Sequence, residues 1–380
     1  MSVFDDLIDQ DAVVTTLKTA VLASKTDDSE SQEMTHAWLF TGPPGSGRSN
    51  AAVAFAAALV CAEGGCGSCV DCTTVKNGTH ADVEVMSTDG LSIKIDEVRE
   101  LVLRAAWAPS VSRYRVVVME DADRLTESAA NALLKAVEEP NQQTVWLLCA
   151  PSTTDVLPTI RSRTRSLMLR TPSTVAVANL LVAEGVSPAM ANFASSASQG
   201  HVGRARYLAT HESARSNREE ILRSVLNVRD ISSAFAAAQS LVDSAKADAE
   251  ADAESRNEKE IQAMKDAWGT QTTKISSSNT KAIKELEKEQ KSRSTRMVRD
   301  YLDRALLDIA TLYRDILMIQ LGQSGALINP DLASEIRALA NVTRSATIVT
   351  KLEAILEARV MLDNNASPLL TVESLLLKIK

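Results

Sequence analysis

The chain has 380 residues, 45% of them apolar and 24% charged, and a formal net charge of -8. That length fits two or three domains with cores of their own, and the composition excludes a fibrous or wholly disordered chain. The negative balance argues against a free-standing nucleic-acid binder relying on bulk positive charge, and 3% aromatic residues leave little for a base-stacking surface.

In chain order, the first element is a buried-strand candidate, Ala37-Trp38-Leu39-Phe40. It runs into Gly42-Pro43-Pro44-Gly45-Ser46-Gly47 and then an alanine-rich helical run, Ala51 to Val60. Val116 to Met119 and Thr144 to Cys149 read as further buried strands, with a helix from Ser128 to Glu139 between them, stopped at Pro140. Continuous apolar strands separated by helices predict a parallel sheet covered on both faces, an α/β domain over about residues 1–171. Beyond it the pattern turns helical. Residues 172–212 form a small helical unit and 213–380 a longer helical domain. In the latter, Val298, Leu302, Leu306, Ile309, Tyr313, Ile316 and Leu317 mark one apolar helix face. Within it, the charged stretch from about 243 to 296 reads as two solvated helices joined by a flexible turn, or as partial disorder. Breaks are expected at Trp268-Gly269 and at Ser276 to Asn279.

Gly42 to Ser49 matches the phosphate-loop pattern GxxxxGK(S/T) at both glycines and at Ser49, with Arg48 in place of lysine. Backbone N–H groups of Gly42, Pro44's followers Gly45, Ser46 and Gly47, and the next helix start are disposed to cradle phosphate. Pro43 and Pro44 shape the loop, and Ser49 offers a hydroxyl to Mg2+. A planar guanidinium does not replace a compact ammonium at a fitted site, so the loop reads either as an ATP/Mg2+ site with little or no hydrolysis or as a loop that keeps its shape for packing alone. Glu120 and Asp121 close the second strand, where Mg2+ and the attacking water are handled. The usual order is Asp then Glu; a base one methylene shorter falls about 1 Å short of reaching its water.

Cys61, Cys66, Cys69 and Cys72 crowd into twelve residues with Gly64, Gly65 and Gly67 among them. Four thiolates close a tetrahedron around Zn2+ at about 2.3 Å per bond and leave no position for water, so the site reads as structural. An iron–sulfur cluster is the second choice, and four reduced core cysteines the third. Cys149 reads as a core residue. No run of about 18 apolar residues is present, so no membrane span is expected. The segment Met1 to Asp6 resembles no secretory signal, which makes a cytoplasmic location the expectation.

These motifs resemble the AAA+ clamp-loader subunits of bacterial DNA polymerase III. Phe4 to Gln10 is similar to the family's N-terminal box, with Asp9 where glycine is usual. His36 to Gly42, Gly78 to Asp82, Ile93 to Arg99 and Asn131 to Pro140 fit the same family, and Ser162-Arg163-Thr164 is similar to its Ser-Arg-Cys motif. The resemblance implies an AAA+ phosphate-loop domain carrying a zinc module (61–72), a helical lid, and an all-α collar. It implies that Arg163 is an arginine finger reaching a neighbour's ATP site. It also implies a hetero-oligomer with gamma/tau and delta subunits, the sliding clamp, and primed DNA reached through the complex. Motor subunits carry an arginine in a Gly-x-x-Arg turn. Here the turn is Gly200-His201-Val202-Gly203, and Arg204 comes one residue late, about 100° round a helix. Arg48, the exchanged Glu120-Asp121 and Gly203 all weaken one site while Arg163 is kept. The pattern is thus similar to the non-motor delta-prime type, a part of the polymerase holoenzyme that is not itself the catalyst. An active gamma/tau-like motor, and a nucleic-acid module built on the cysteines, are the alternatives.

Overall fold

The computed structural model describes residues 2–25, 33–88, 90, 92–141, 143–267, 277–323 and 327–380. The chain divides into two compact units, Met1–Arg206 and Tyr207–Lys380.

In the first unit the elements are α1 (Asp11–Lys25), β1 (Ala37–Thr41), α2 (Arg48–Val60), α3 (Val70–Lys76), β2 (Val83–Met86), α4 (Ile95–Ala105) and β3 (Arg115–Met119). They continue with α5 (Glu127–Glu138), β4 (Thr144–Ala150), α6 (Pro158–Arg161), β5 (Arg165–Met168), α7 (Thr174–Ala183), α8 (Pro188–Ala197) and α9 (Val202–Thr210), which crosses into the second unit. The strands form one parallel sheet in the order β2-β3-β4-β1-β5. The three strands expected from the sequence are its centre; β2 and β5 are its edges.

Period-two alternation sorts the strand side chains between two cores. Trp38, Phe40, Val116, Val118, Leu147 and Cys149 face α1 and α2. Leu39, Val117, Met119, Trp146 and Leu148 face α4 and α5. This explains why the central strands read as unbroken apolar runs. Six of the thirteen residues of α2 are buried alanines, so it lies close on the sheet, and Phe55 anchors it edge-on to Trp38 at 5.1 Å. Helix α5 buries Ala129, Ala130, Leu133 and Val137, one helical face, and starts on Thr126, whose hydroxyl accepts the Ala129 N–H. Its far end is tied to the start of β1 by His36 Nε2, 2.8 Å from the Val137 carbonyl oxygen.

The second unit is helical: α10 (Glu212–Leu226), α11 (Ile231–Ala267), α12 (Ser277–Gln320), α13 (Ala333–Val342), α14 (Ser345–Asp363) and α15 (Pro368–Ile379). The expected α12 face packs into its core through Leu302, Leu306, Ile309, Tyr313 and Ile316. The described parts of the charged stretch lie in α11 and α12. Ala245, Ala249 and Ala253 form a buried seam at spacings of four, and Arg293 pairs with Glu260 at 3.0 Å. Ser277 to Asn279, expected as a break, are instead the first residues of α12; Trp268, Gly269 and Ser276 lie outside the described residues. A buried polar cluster links α10 to α12: Arg218 Nε donates to Asp308 at 2.9 Å, and Arg218 Nη2 to Asn329 Oδ1 at 2.5 Å. No described helix is long and apolar enough to cross a membrane.

Candidate functional site

The phosphate loop leaves the C-terminal end of β1 and enters α2. Gly45 and Gly47 have φ of 86° and 84°, left-handed values that glycine adopts without strain. The loop is braced from two sides. Gln10 Nε2 donates to the Ser46 carbonyl at 3.4 Å and to that of Arg170 at 2.6 Å, and its Oε1 accepts the Arg170 N–H at 3.2 Å. Before it, Asp9 takes a left-handed φ of 62°, standing in for the glycine usual there, and its carboxylate accepts the Ser173 N–H at 2.9 Å. That contact holds the Asp9 carboxyl below its ordinary value.

Arg48 turns back onto its own loop. Its Nη1 donates to the Gly42 carbonyl at 2.8 Å. His201 lies against the loop as well: a Cβ placed on Gly45 would come within 2.6 Å of the imidazole ring. His201 Nδ1 accepts the Arg204 N–H at 3.2 Å, so the ring is fixed by the start of α9. Neither the Gln10 brace nor the His201 contact was evident in the sequence; a glutamine closing the N-terminal box and a histidine inside the Gly200–Gly203 turn were the signals.

Glu120 and Asp121 leave the end of β3 next to this loop. Asp121 Oδ2 accepts the Thr88 N–H at 3.3 Å, and its Oδ1 lies 3.6 Å from Arg124 Nε. Asp121 makes no capping bond to the turn that follows it. Arg48, Glu120, Asp121 and Asp123 all act on the buried Cys149 thiol of β4, which burial raises far above its usual range. Burial also raises the carboxyl of Asp123, whose Oδ1 is buried without a hydrogen-bond partner. Arg48 and Arg124 therefore share the C-terminal end of the sheet, around β1, β3 and β4, with the carboxyl groups of Glu120, Asp121 and Asp123.

Arg163 lies elsewhere. Arg165, the first residue of β5, is opposite Trp38; Arg163 lies in the turn before it and pairs with Glu138, whose neighbour Val137 is bonded to His36 at the N-terminal end of β1. The phosphate loop begins at the other end, roughly 20 Å away along the strands at ~3.3 Å per residue. Arg163 Nε pairs with Glu138 Oε1 at 2.6 Å, and Nη1 donates to the Thr159 carbonyl at 2.9 Å and to Ser162 Oγ at 3.2 Å. Its neighbour Arg165 instead stacks on Trp38 at 5.0 Å and pairs with Glu33.

The four cysteines between α2 and α3 converge, with all four sulfurs within 4.8 Å of one another. Cys61 Sγ lies 3.8 Å from that of Cys66 and 3.6 Å from that of Cys69. A tetrahedral site with bonds of about 2.3 Å has edges of about 3.8 Å, so the set can hold a metal ion. Gly64, Gly65 and Gly67 all have positive φ, which lets the segment wrap so tightly. N–H groups of Ser68 and Cys69 draw the Cys66 thiol down to about 6, whereas burial pushes that of Cys72 up.

Comparison with known proteins joins the two units in one family. The family described as "DNA polymerase III, delta subunit" matches residues 18–173, and "DNA polymerase III, delta subunit, C terminal" matches 280–380. The chain is 27% identical over 356 residues to DNA polymerase III subunit delta' of Bacillus subtilis, covering 92% of each. It is 40% identical over 134 residues to subunit delta' of Pseudomonas aeruginosa, covering 34% of this chain and 41% of that one. It is 36% identical over 172 residues to subunit gamma/tau of Mycobacterium tuberculosis, covering 44% of this chain and 28% of that one. With its parallel sheet and helical C-terminal region, the chain belongs to the clamp-loader subunits of DNA polymerase III, of the delta-prime type.

Proposed function

We propose that this chain is the non-motor member of a clamp-loading complex and lends Arg163 to the ATP site of a neighbouring gamma/tau-type subunit. In this reading residues 1–171 are the AAA+ domain, 172–212 its lid and 213–380 the collar joining it to other subunits. Delta and gamma/tau subunits, the sliding clamp and primed DNA are the partners, and the complex works in the cytoplasm. The observation that carries the reading is the opposition of two arginines. Arg48 is turned in on the Gly42 carbonyl, while Arg163, with 40% of its side chain exposed, sits at the far end of the sheet. A guanidinium some 20 Å from its own phosphate loop cannot serve that loop, but it can serve another chain's. Zn2+ at Cys61, Cys66, Cys69 and Cys72 would be structural, since four protein ligands leave no open position. Any nucleotide would lie along Gly42 to Ser49.

The test is a reconstituted complex. The isolated chain should show no DNA-stimulated ATP turnover, and Arg163→Ala should slow turnover by the complex about 10³-fold at the site it completes. The left-handed glycines of the loop favour a second reading, an active gamma/tau-like motor. Turnover by the isolated chain that is abolished by Arg48→Ala would establish that reading and end the first.

A further inference from the structure

Glu138 is the last residue of α5 and shares no motif with Arg163, yet the two meet at 2.6 Å. The guanidinium has two of its three nitrogens engaged within the chain. Nε lies in an ion pair with the Glu138 carboxylate, and Nη1 donates to the Thr159 carbonyl and to Ser162 Oγ. Nη2 has no hydrogen-bond partner among the described residues. Glu138 is itself anchored, because the preceding carbonyl, that of Val137, is bonded to His36 at the root of β1. The ion pair therefore rests on the rigid centre of the sheet rather than on a surface loop.

We infer that Glu138 is a positioning residue for Arg163: it fixes the guanidinium so that Nη2 stays available to a phosphate oxygen of another chain. The inference rests on the proposed role of Arg163 and extends it to a residue outside that motif. A long arginine side chain on a surface turn samples many rotamers, and a donor useful to a transition state has to be oriented before the neighbour arrives. Holding Nε and Nη1 removes most of that freedom and leaves one edge of a planar group open. Pairs with both partners half-exposed add little to stability, so a stabilising role does not account for the arrangement.

The experiment measures ATP turnover by the complex assembled from the full chain with gamma/tau and delta subunits, sliding clamp and primed DNA. Glu138→Ala is expected to lower kcat about tenfold with KM for ATP unchanged, since orientation rather than nucleotide binding is lost. Glu138→Gln, which keeps an acceptor oxygen, should recover most of the rate. The double variant Glu138→Ala/Arg163→Ala should be no slower than Arg163→Ala alone. Unchanged or faster turnover by Glu138→Ala overturns the inference, the faster case making Glu138 a restraint. A further loss in the double variant also overturns it, because Glu138 would then act on something else. If Arg163→Ala leaves the rate intact, the finger reading fails and takes this one with it. That outcome differs from one in which Arg163→Ala slows the complex and Glu138→Ala does not.

Discussion

Ser112 gives the fully buried Asp82 carboxylate two hydrogen bonds, one from its N–H at 2.8 Å and one from its hydroxyl at 2.9 Å, both to Oδ2. The N–H groups of Ser110 and Val111 add two more, at 2.6 and 2.8 Å. Asp82 thus pins the turn between α4 and β3 to the start of β2. Burial opposes ionisation, but these donors outweigh it and hold the carboxyl down at about 2 against an ordinary 3.8. A depressed folded-state value gives stability that is present above the unfolded value. It is lost as pH falls from about 4 through about 2, amounting to about 2 kcal/mol. Asp82→Asn should lower stability by roughly 2–3 kcal/mol at neutral pH and flatten this acid limb. Thermal unfolding as a function of pH reads both, and an unshifted midpoint would refute the assignment.

Arg48→Lys tests what the turned-in guanidinium does. Lysine lacks the fork that reaches Gly42, so the loop should accept nucleotide more readily, by about tenfold in Kd. Turnover should still be absent, because Asp121 remains short and Gly203 supplies no cation. Titration with a fluorescent ATP analogue and a phosphate-release assay separate the two effects. Vigorous hydrolysis by this single variant would show that Arg48 alone had disarmed the site.

Metal analysis of the purified chain should return about one Zn per molecule. Removing it should raise hydrogen exchange across residues 61–76 while leaving β1, β3 and β4 protected. The disturbance should reach the start of β2. Asp71, between two of the cysteines, faces His80 Nε2 at 3.6 Å, and His80 Nδ1 accepts the Asp82 N–H at 3.0 Å. Exchange unaffected by chelation would mean that the cysteines need no ion to hold their arrangement.

In the helical unit, Arg218→Ala should cost about 3–5 kcal/mol, because it strips a buried guanidinium from Asp308 and Asn329 without replacing either bond. Replacement by methionine should be milder than alanine, since it refills the volume. Urea unfolding of the two variants gives the comparison, and a loss below about 1 kcal/mol would show that water takes over the vacated bonds.

What the sequence disclosed follows from where each residue's partners lie. Ala37 to Thr41, Arg115 to Met119 and Thr144 to Ala150 are buried on both faces, so their apolar runs announce them. Val83–Met86 and Arg165–Met168 are short edge strands carrying Glu84 and Arg165 among partly exposed residues, and the apolar signal disappears. The charged stretch was read as two helices, but it hid its buried seam for a related reason. That seam is alanine, which weighs little in a pattern dominated by glutamate and lysine. The cysteines were legible because one short segment supplies every ligand. The Glu138 contact with Arg163 and the His201 contact with Gly45 were not, because each joins segments that only the folded sheet brings together.

The parallel register that sets Arg163 at one end of β1 and the phosphate loop at the other gives this molecule a head and a tail. Any assembly that docks one such head on another subunit's tail joins unlike surfaces, so it has a direction and no two-fold axis relating the neighbours. A row built this way must either close on itself or expose one unused head and one unused tail. A subunit whose tail does no chemistry can stand at the end of the row without wasting a working site.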